Sequence, residues 1–156
     1  MFASVESTYT DLVTSVFSTP IAFKAWFATA AAVLAVVQVL TGARIFGKLR
    51  PVVRIPPPRV NQVHRWSGRL AVLATAPVAF HCIFILGFQT ADARVLAHSL
   101  LGTFVYGVVA VKVWYVRDRD HPRWVVPVAG GTLFTVLVAL WSTSSLWYFT
   151  EVEFGF

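Results

Sequence analysis

The chain has 156 residues, 57% of them hydrophobic and 13% charged, with a formal net charge of +6 and a single cysteine. A mean hydropathy of +0.70 excludes an ordinary soluble domain and makes this a membrane protein. The distribution of charge argues against a nucleic-acid partner. Eleven of the 13 basic residues flank two connections, Arg44, Lys48, Arg50, Arg54, Arg59, Arg65 and Arg69 in one and Lys112, Arg117, Arg119 and Arg123 in the other. By the bias of Lys and Arg toward the cytoplasm, both connections face inward and both termini lie outside the inner (plasma) membrane. Glu6, Asp11, Asp92, Glu151 and Glu153 collect on the other side, in agreement.

Residues 1–19 are rich in Ser, Thr and Val and read as a peripheral N-terminal segment, a short interfacial helix that ends before Pro20. A cleavable signal peptide is not expected, because the first apolar run is long and no basic region precedes it. From residue 20 to 156 the pattern predicts an all-α, integral membrane four-helix bundle, with spans at about 21–43, 66–89, 94–116 and 124–149, each near the roughly 20 residues that cross hydrocarbon as a helix. Trp26 and Phe27 suit an interfacial belt, while Gln38 and Thr41 are polar enough to face a neighbouring helix. Between the first two spans, Pro51, Pro56, Pro57 and Pro58 favour an extended basic strap against anionic lipid headgroups or a soluble partner.

The second and third spans are separated by a short polar turn, residues 89–94, and are expected to be antiparallel neighbours. Each carries a histidine in otherwise apolar sequence. His81 lies seven residues before Phe88 and His98 five after Ala93, so both imidazoles fall roughly 7 to 11 Å inside the same boundary at about 1.5 Å per residue. An ionisable residue inside a span is costly and marks a functional site by default. Bis-imidazole ligation of a haem iron satisfies both rings and gives a low-spin electron-transfer centre. A proton relay, a non-haem metal and plain hydrogen bonding are the competing roles. Gly102, one helical turn after His98, lies on the same face, where a flat macrocycle could approach the backbone.

His64 precedes the second span by this reading, seventeen residues before His81, roughly 25 Å along a helix and therefore unable to share its iron. A second haem would need His64 and another ligand, and His121 sits in a charged turn, so one haem b is expected rather than two. Lys112 is expected to lay its stem along the helix with its ammonium at the inner interface, or to converge with His64 and Arg65 on a quinone or another anionic cofactor. In the fourth span Gly130, Gly131 and the run Trp141 to Ser145 suit close helix packing, and Trp147 and Tyr148 mark the outer interface. Cys82 cannot form an intrachain disulfide and reads as a buried helix residue.

Four spans, His81 and His98 on adjacent helices, the glycine four residues after His98 and the basic inner connections resemble the small bacterial membrane b-type cytochromes, in the style of ascorbate-reducible cytochromes b and ferric-reductase-like membrane domains. More closely, the chain resembles an actinobacterial family of four-helix membrane proteins, in the segments His64 to Gly68, His81 with Cys82, His98 to Gly102, and Ser144 to Phe149. The resemblance implies haem, held by His81 and His98. Relatives with two haems carry two histidines on each of two helices, whereas this third span has one and the fourth none. His64, Arg65, Ser67 and Gly68 also resemble the first-helix motif of succinate dehydrogenase membrane anchors, which implies Ser67 and Arg65 as quinone contacts and His64 as a contact to a haem propionate.

The expected function is electron transfer through a bis-histidine haem, as a subunit of a respiratory or redox complex rather than a free-standing oxidoreductase, since no nucleotide-binding motif is present. Membrane lipids, other redox subunits and a quinone are the expected partners. The alternative is a haem-free accessory or assembly subunit whose histidines hydrogen-bond between helices.

Overall fold

A computed structural model describes residues 2–49, 56–118 and 120–153, with side chains described for residues 7–152 of that set. Among the described residues the chain is helical: α1 (Phe2–Thr14), α2 (Pro20–Ile45), α3 (Pro57–Phe80), α4 (Ala93–Arg117) and α5 (Val125–Trp141). α3 runs on through a wide π-helical turn, His81–Leu86, and α5 through two more, Ser142–Leu146 and Tyr148–Glu153. Four continuous stretches, Pro20–Ile45, Pro57–Leu86, Ala93–Arg117 and Val125–Val152, are long and apolar enough to cross a membrane. The expected all-α, four-span architecture is therefore present, and the chain is a multi-pass membrane protein. Large apolar side chains such as Val33, Leu73, Phe84 and Trp114 point outward, as lipid-facing residues must.

Local chemistry fixes where the helices begin. Thr19 Oγ1 accepts the Ala22 N–H at 3.1 Å ahead of Pro20, and Asp92 Oδ1 accepts the Val95 N–H at 2.8 Å at the start of α4, each satisfying an amide that the helix leaves unpaired. α3 corrects the sequence reading. The prolines expected to hold an extended strap instead open the helix, with Pro56 as cap and Pro57 as its first residue. A proline at that position has no N–H to waste and a φ already suited to the helix. The second span thus starts nine residues earlier than expected, His64 to Gly68 lie inside it, and what remains of the strap, residues 50–55, lies outside the described residues.

α2 is the hub. It packs along α3 on one side and along α5 on the other, while α5 carries α4. Buried Ala22, Ala25, Ala31 and Ala35 allow this, because small residues let helix backbones approach without a hydrophobic driving force between helices. Ala31 is only 1% exposed. Ala31→Leu is expected to force the α2 seam apart at a cost of about 1–3 kcal/mol, read as a lower melting temperature in detergent.

α3 and α4 are joined as the expected neighbours, but their backbones stand apart. Their connection is tied by Gln89 N to Ser99 Oγ (3.2 Å) and Ser99 Oγ to the Gln89 carbonyl (3.0 Å), and turns at Gly87, whose φ of 68° is the left-handed region. Beyond it the two backbones do not pack closely along their length. Side chains span the interval instead, as in the 3.0 Å hydrogen bond from Tyr106 Oη to Thr75 Oγ1. The two histidine-bearing helices are each anchored to another helix rather than to each other.

Candidate functional site

His81 opens the π-helical turn one residue after α3 ends and is buried, 7% exposed. Pro77 is inside α3, cannot donate to the preceding turn, and is followed by the wider winding that re-aims His81; such turns recur at functional sites. Tyr9, from α1, stacks obliquely on the imidazole with ring centroids 5.1 Å apart, and also meets Phe23 and Phe80. The segment expected to be peripheral therefore reaches the site. His81 Nδ1 and Tyr9 Oη are both buried with no hydrogen-bond partner among the described residues. Burial pushes the Tyr9 phenol above its ordinary pKa, with Cys82 acting in the same direction.

His98 is held from α5's extension. Its Nδ1 lies 3.0 Å from Thr143 Oγ1, and the Thr143 hydroxyl donates its one proton to the backbone, at 2.9 Å from the Ala139 carbonyl. The hydroxyl can then only accept from the ring, so His98 is protonated on Nδ1 and its Nε2 keeps a lone pair. This is the tautomer and the outer hydrogen bond that a metal-ligating histidine uses. Gly102 lies one turn on, and a Cβ there would meet only Leu140 Cδ2, at 4.0 Å. Among the described residues no atom requires a glycine at this position.

Two cations join the histidines, and the sequence reading passed over both. The ammonium of Lys24, in the second turn of α2, is within electrostatic reach of His81, Cys82 and His98. Arg94 donates from Nη1 to the Thr143 carbonyl at 2.8 Å and lies 4.4 Å over the Trp147 ring. The available signal was subtraction. Once the eleven basic residues of the two connections are removed from the 13, Lys24 and Arg94 are what remain.

The opposite end of the bundle carries a second polar cluster. Gln38 Nε2 donates to Ser67 Oγ at 2.7 Å and to the His64 carbonyl, and Thr41 Oγ1 lies 2.8 Å from His64 Nδ1. Gln38 and Thr41 thus face α3, as their polarity suggested. Thr41 gives its proton to the Val37 carbonyl at 2.6 Å, which by the same reasoning puts the His64 proton on Nδ1 and leaves Nε2 an acceptor. Lys112 is half-buried and leans toward α5. Its Nζ is 3.8 Å from where a Gly130 Cβ would stand, and its charge reaches His64. Of the three residues expected to converge, His64 and Lys112 come together and Arg65 does not. Arg65 is exposed and lines a depression of about 340 Å³ with Ile45, Asn61 and His64, while Ser67 turns away into the α2–α3 seam. A contact shared by Arg65 and Ser67 is not what this helix presents. His121, expected in a solvated turn, instead has a buried, unpartnered Nδ1 and an edge contact with Tyr115 at 5.5 Å.

The model of a family of unknown function, DUF6529, matches residues 1–156. The chain belongs to DUF6529. It matches no curated protein and no solved structure. Among the described residues this DUF6529 member has no group of three or more His, Cys, Asp or Glu side chains placed to hold a bare metal ion. A metal already held by the four nitrogens of a porphyrin needs only two more ligands. The histidine end offers two nitrogen donors of that kind, one imidazole buried with its Nδ1 unpartnered among the described residues and the other hydrogen-bonded through Nδ1.

Proposed function

We propose that this protein is a membrane b-type cytochrome, in which His81 and His98 are the axial ligands of one haem and the chain passes electrons within a respiratory or redox complex of the plasma membrane. The observation that carries this reading is the state of the two imidazoles. His98 is fixed through Nδ1, which leaves Nε2 as its acceptor, and His81 is buried with an Nδ1 that no described residue satisfies, a costly arrangement in a span that a metal bound at that nitrogen would compensate. When bound, haem supplies a one-electron couple, and bis-imidazole ligation favours electron transfer over oxygen binding. The chain's residues bind, orient and shield it. Tyr9, packed against Phe23 and Phe80, covers His81, and Thr143 holds the His98 ring.

The asymmetry of basic residues supports an orientation with the histidine end outside. At the other end, an acceptor such as His64 Nε2 beside the open depression suits a quinol hydroxyl, and Lys112 adds a positive charge. A quinone-type partner there is part of the same reading.

The test is direct. Protein purified in detergent from haem-replete cells is expected to show a sharp reduced α band and about one haem per chain. A colourless preparation overturns the cytochrome reading and leaves the haem-free accessory subunit; two haems per chain overturns the single site. Thr143→Val, which keeps the shape and removes the acceptor from His98, is expected to weaken haem retention by about 10- to 100-fold, the usual cost of losing a ligand's outer hydrogen bond. Transfer of haem to an excess of apomyoglobin measures it.

A further inference from the structure

Lys24 is an ammonium inside an apolar span with no acidic partner among the described side chains. Among the described residues the one ion pair is Arg94 with Asp92, long at 4.0 Å and partly exposed, and no carboxylate acts on Lys24. A lysine this near a helix start could extend to the interface, yet its charge bears on groups from two other helices, His81 and Cys82 after α3 and His98 in α4. The packing agrees with an inward position. Phe23, its neighbour in sequence, meets the same Tyr9 that covers His81. On its other side, Ala22 and Ala25 are buried with Tyr148, and Trp147 packs against this group. Trp147 in turn carries the Arg94 guanidinium. The turn of α2 that bears Lys24 is thereby lodged between His81 and Arg94.

Arg94 is tied to the other histidine. Thr143 takes Arg94 Nη1 on its carbonyl and His98 on its hydroxyl, so one residue sets the guanidinium and the imidazole together. Arg94 has further N–H donors in a planar fork suited to a carboxylate. Two half-buried cations beside two imidazoles suit a ligand that brings negative charge, and haem b carries two propionate carboxylates.

We infer that Lys24 and Arg94 form the carboxylate-binding part of the haem site and hold the two haem propionates. This rests on the cytochrome reading above, and deepens it: the chain recognises the cofactor by its carboxylates as well as through iron. The pairing also explains why the only two basic residues outside the basic connections lie together at the histidine end.

The experiment titrates the full-length haem-free protein in detergent with haemin and with haemin dimethyl ester, whose carboxylates are blocked. Lys24→Met, Arg94→Gln, their combination and the charge-preserving Lys24→Arg are compared, each checked as monodisperse. The wild type is expected to favour haemin over the ester by about 10- to 100-fold, the size of a charge-assisted hydrogen bond in the site. The combined variant loses that preference and binds haemin and the ester alike, and Lys24→Arg retains it. Equal binding of the two ligands by the wild type, or a preference that survives in the combined variant, overturns the inference while leaving His81 and His98 as ligands. If neither ligand gives a low-spin spectrum that depends on His81 and His98, the cytochrome reading itself fails and this inference falls with it.

Discussion

His81→Leu is expected to remove the low-spin haem spectrum completely, and to leave the haem-free protein as stable as the wild type or more so. Both parts follow from the same observation. The ring is buried and its Nδ1 has no partner, and a buried polar group without a hydrogen bond costs about 1–3 kcal/mol. Leucine has similar bulk and nothing to satisfy, and it fits among Tyr9, Phe80 and the π-helical turn. With about 2–4 °C per kcal/mol for a chain of this size, the haem-free melting temperature should stay level or rise by a few degrees. A histidine conserving the fold would behave in the opposite way. His98→Ala should also abolish the spectrum, but with a small loss of haem-free stability, about 1 kcal/mol, because it gives up a made hydrogen bond to Thr143. The visible spectrum and the melting curve of each variant decide the matter. A retained α band in His81→Leu would sink the ligand assignment, and a marked fall in its haem-free melting temperature would mark the imidazole as structural.

The parts of this architecture that hydropathy governs were legible in the sequence, and the parts that side-chain reach governs were not. Four spans follow from run length alone, because a helix must satisfy its own backbone in lipid. The placing of His81 and His98 at one end follows from counting residues to a short turn. The start of α3 was misread because Pro56, Pro57 and Pro58 break a helix everywhere except at its first turn, and nothing local tells the two cases apart. The winding change after Pro77 was equally hidden. Thr143 was read as packing material, yet it fixes the tautomer of His98 and holds Arg94. Tyr9 lay in a segment too polar to assign to the bundle, and only the fold lays it on His81. Lys24 was the most recoverable of these, as the single charged residue in the apolar run at 21–40; hydropathy averaging conceals a lone lysine among alanines and phenylalanines.

Gly68→Val is expected to be the most damaging substitution at the opposite end. A Cβ on Gly68 would stand 3.2 Å from Gln38 Oε1 and 3.3 Å from both Cδ and Nε2, closer than an ordinary contact. Gln38 cannot simply swing away, because Nε2 is committed to Ser67 Oγ and the His64 carbonyl, and its displacement leaves those groups short of a donor in the seam between α2 and α3. Crowding and lost hydrogen bonds together should cost about 2–4 kcal/mol, a fall in melting temperature of the order of 10 °C. Gln38→Ala clears the space while sacrificing the same hydrogen bonds, so adding Gly68→Val to it should cost far less than Gly68→Val alone. That non-additivity is the signature of a shared contact. Additive losses would show that Gly68 is required for another reason. The clamp lies at the far end of α3 from His81, so the low-spin spectrum of Gly68→Val should be unchanged below its melting temperature. A spectrum altered while the protein is still folded would mean that the seam between α2 and α3 sets the histidine site from a distance, with α2, the helix that carries both Gln38 and Lys24, as the connecting element.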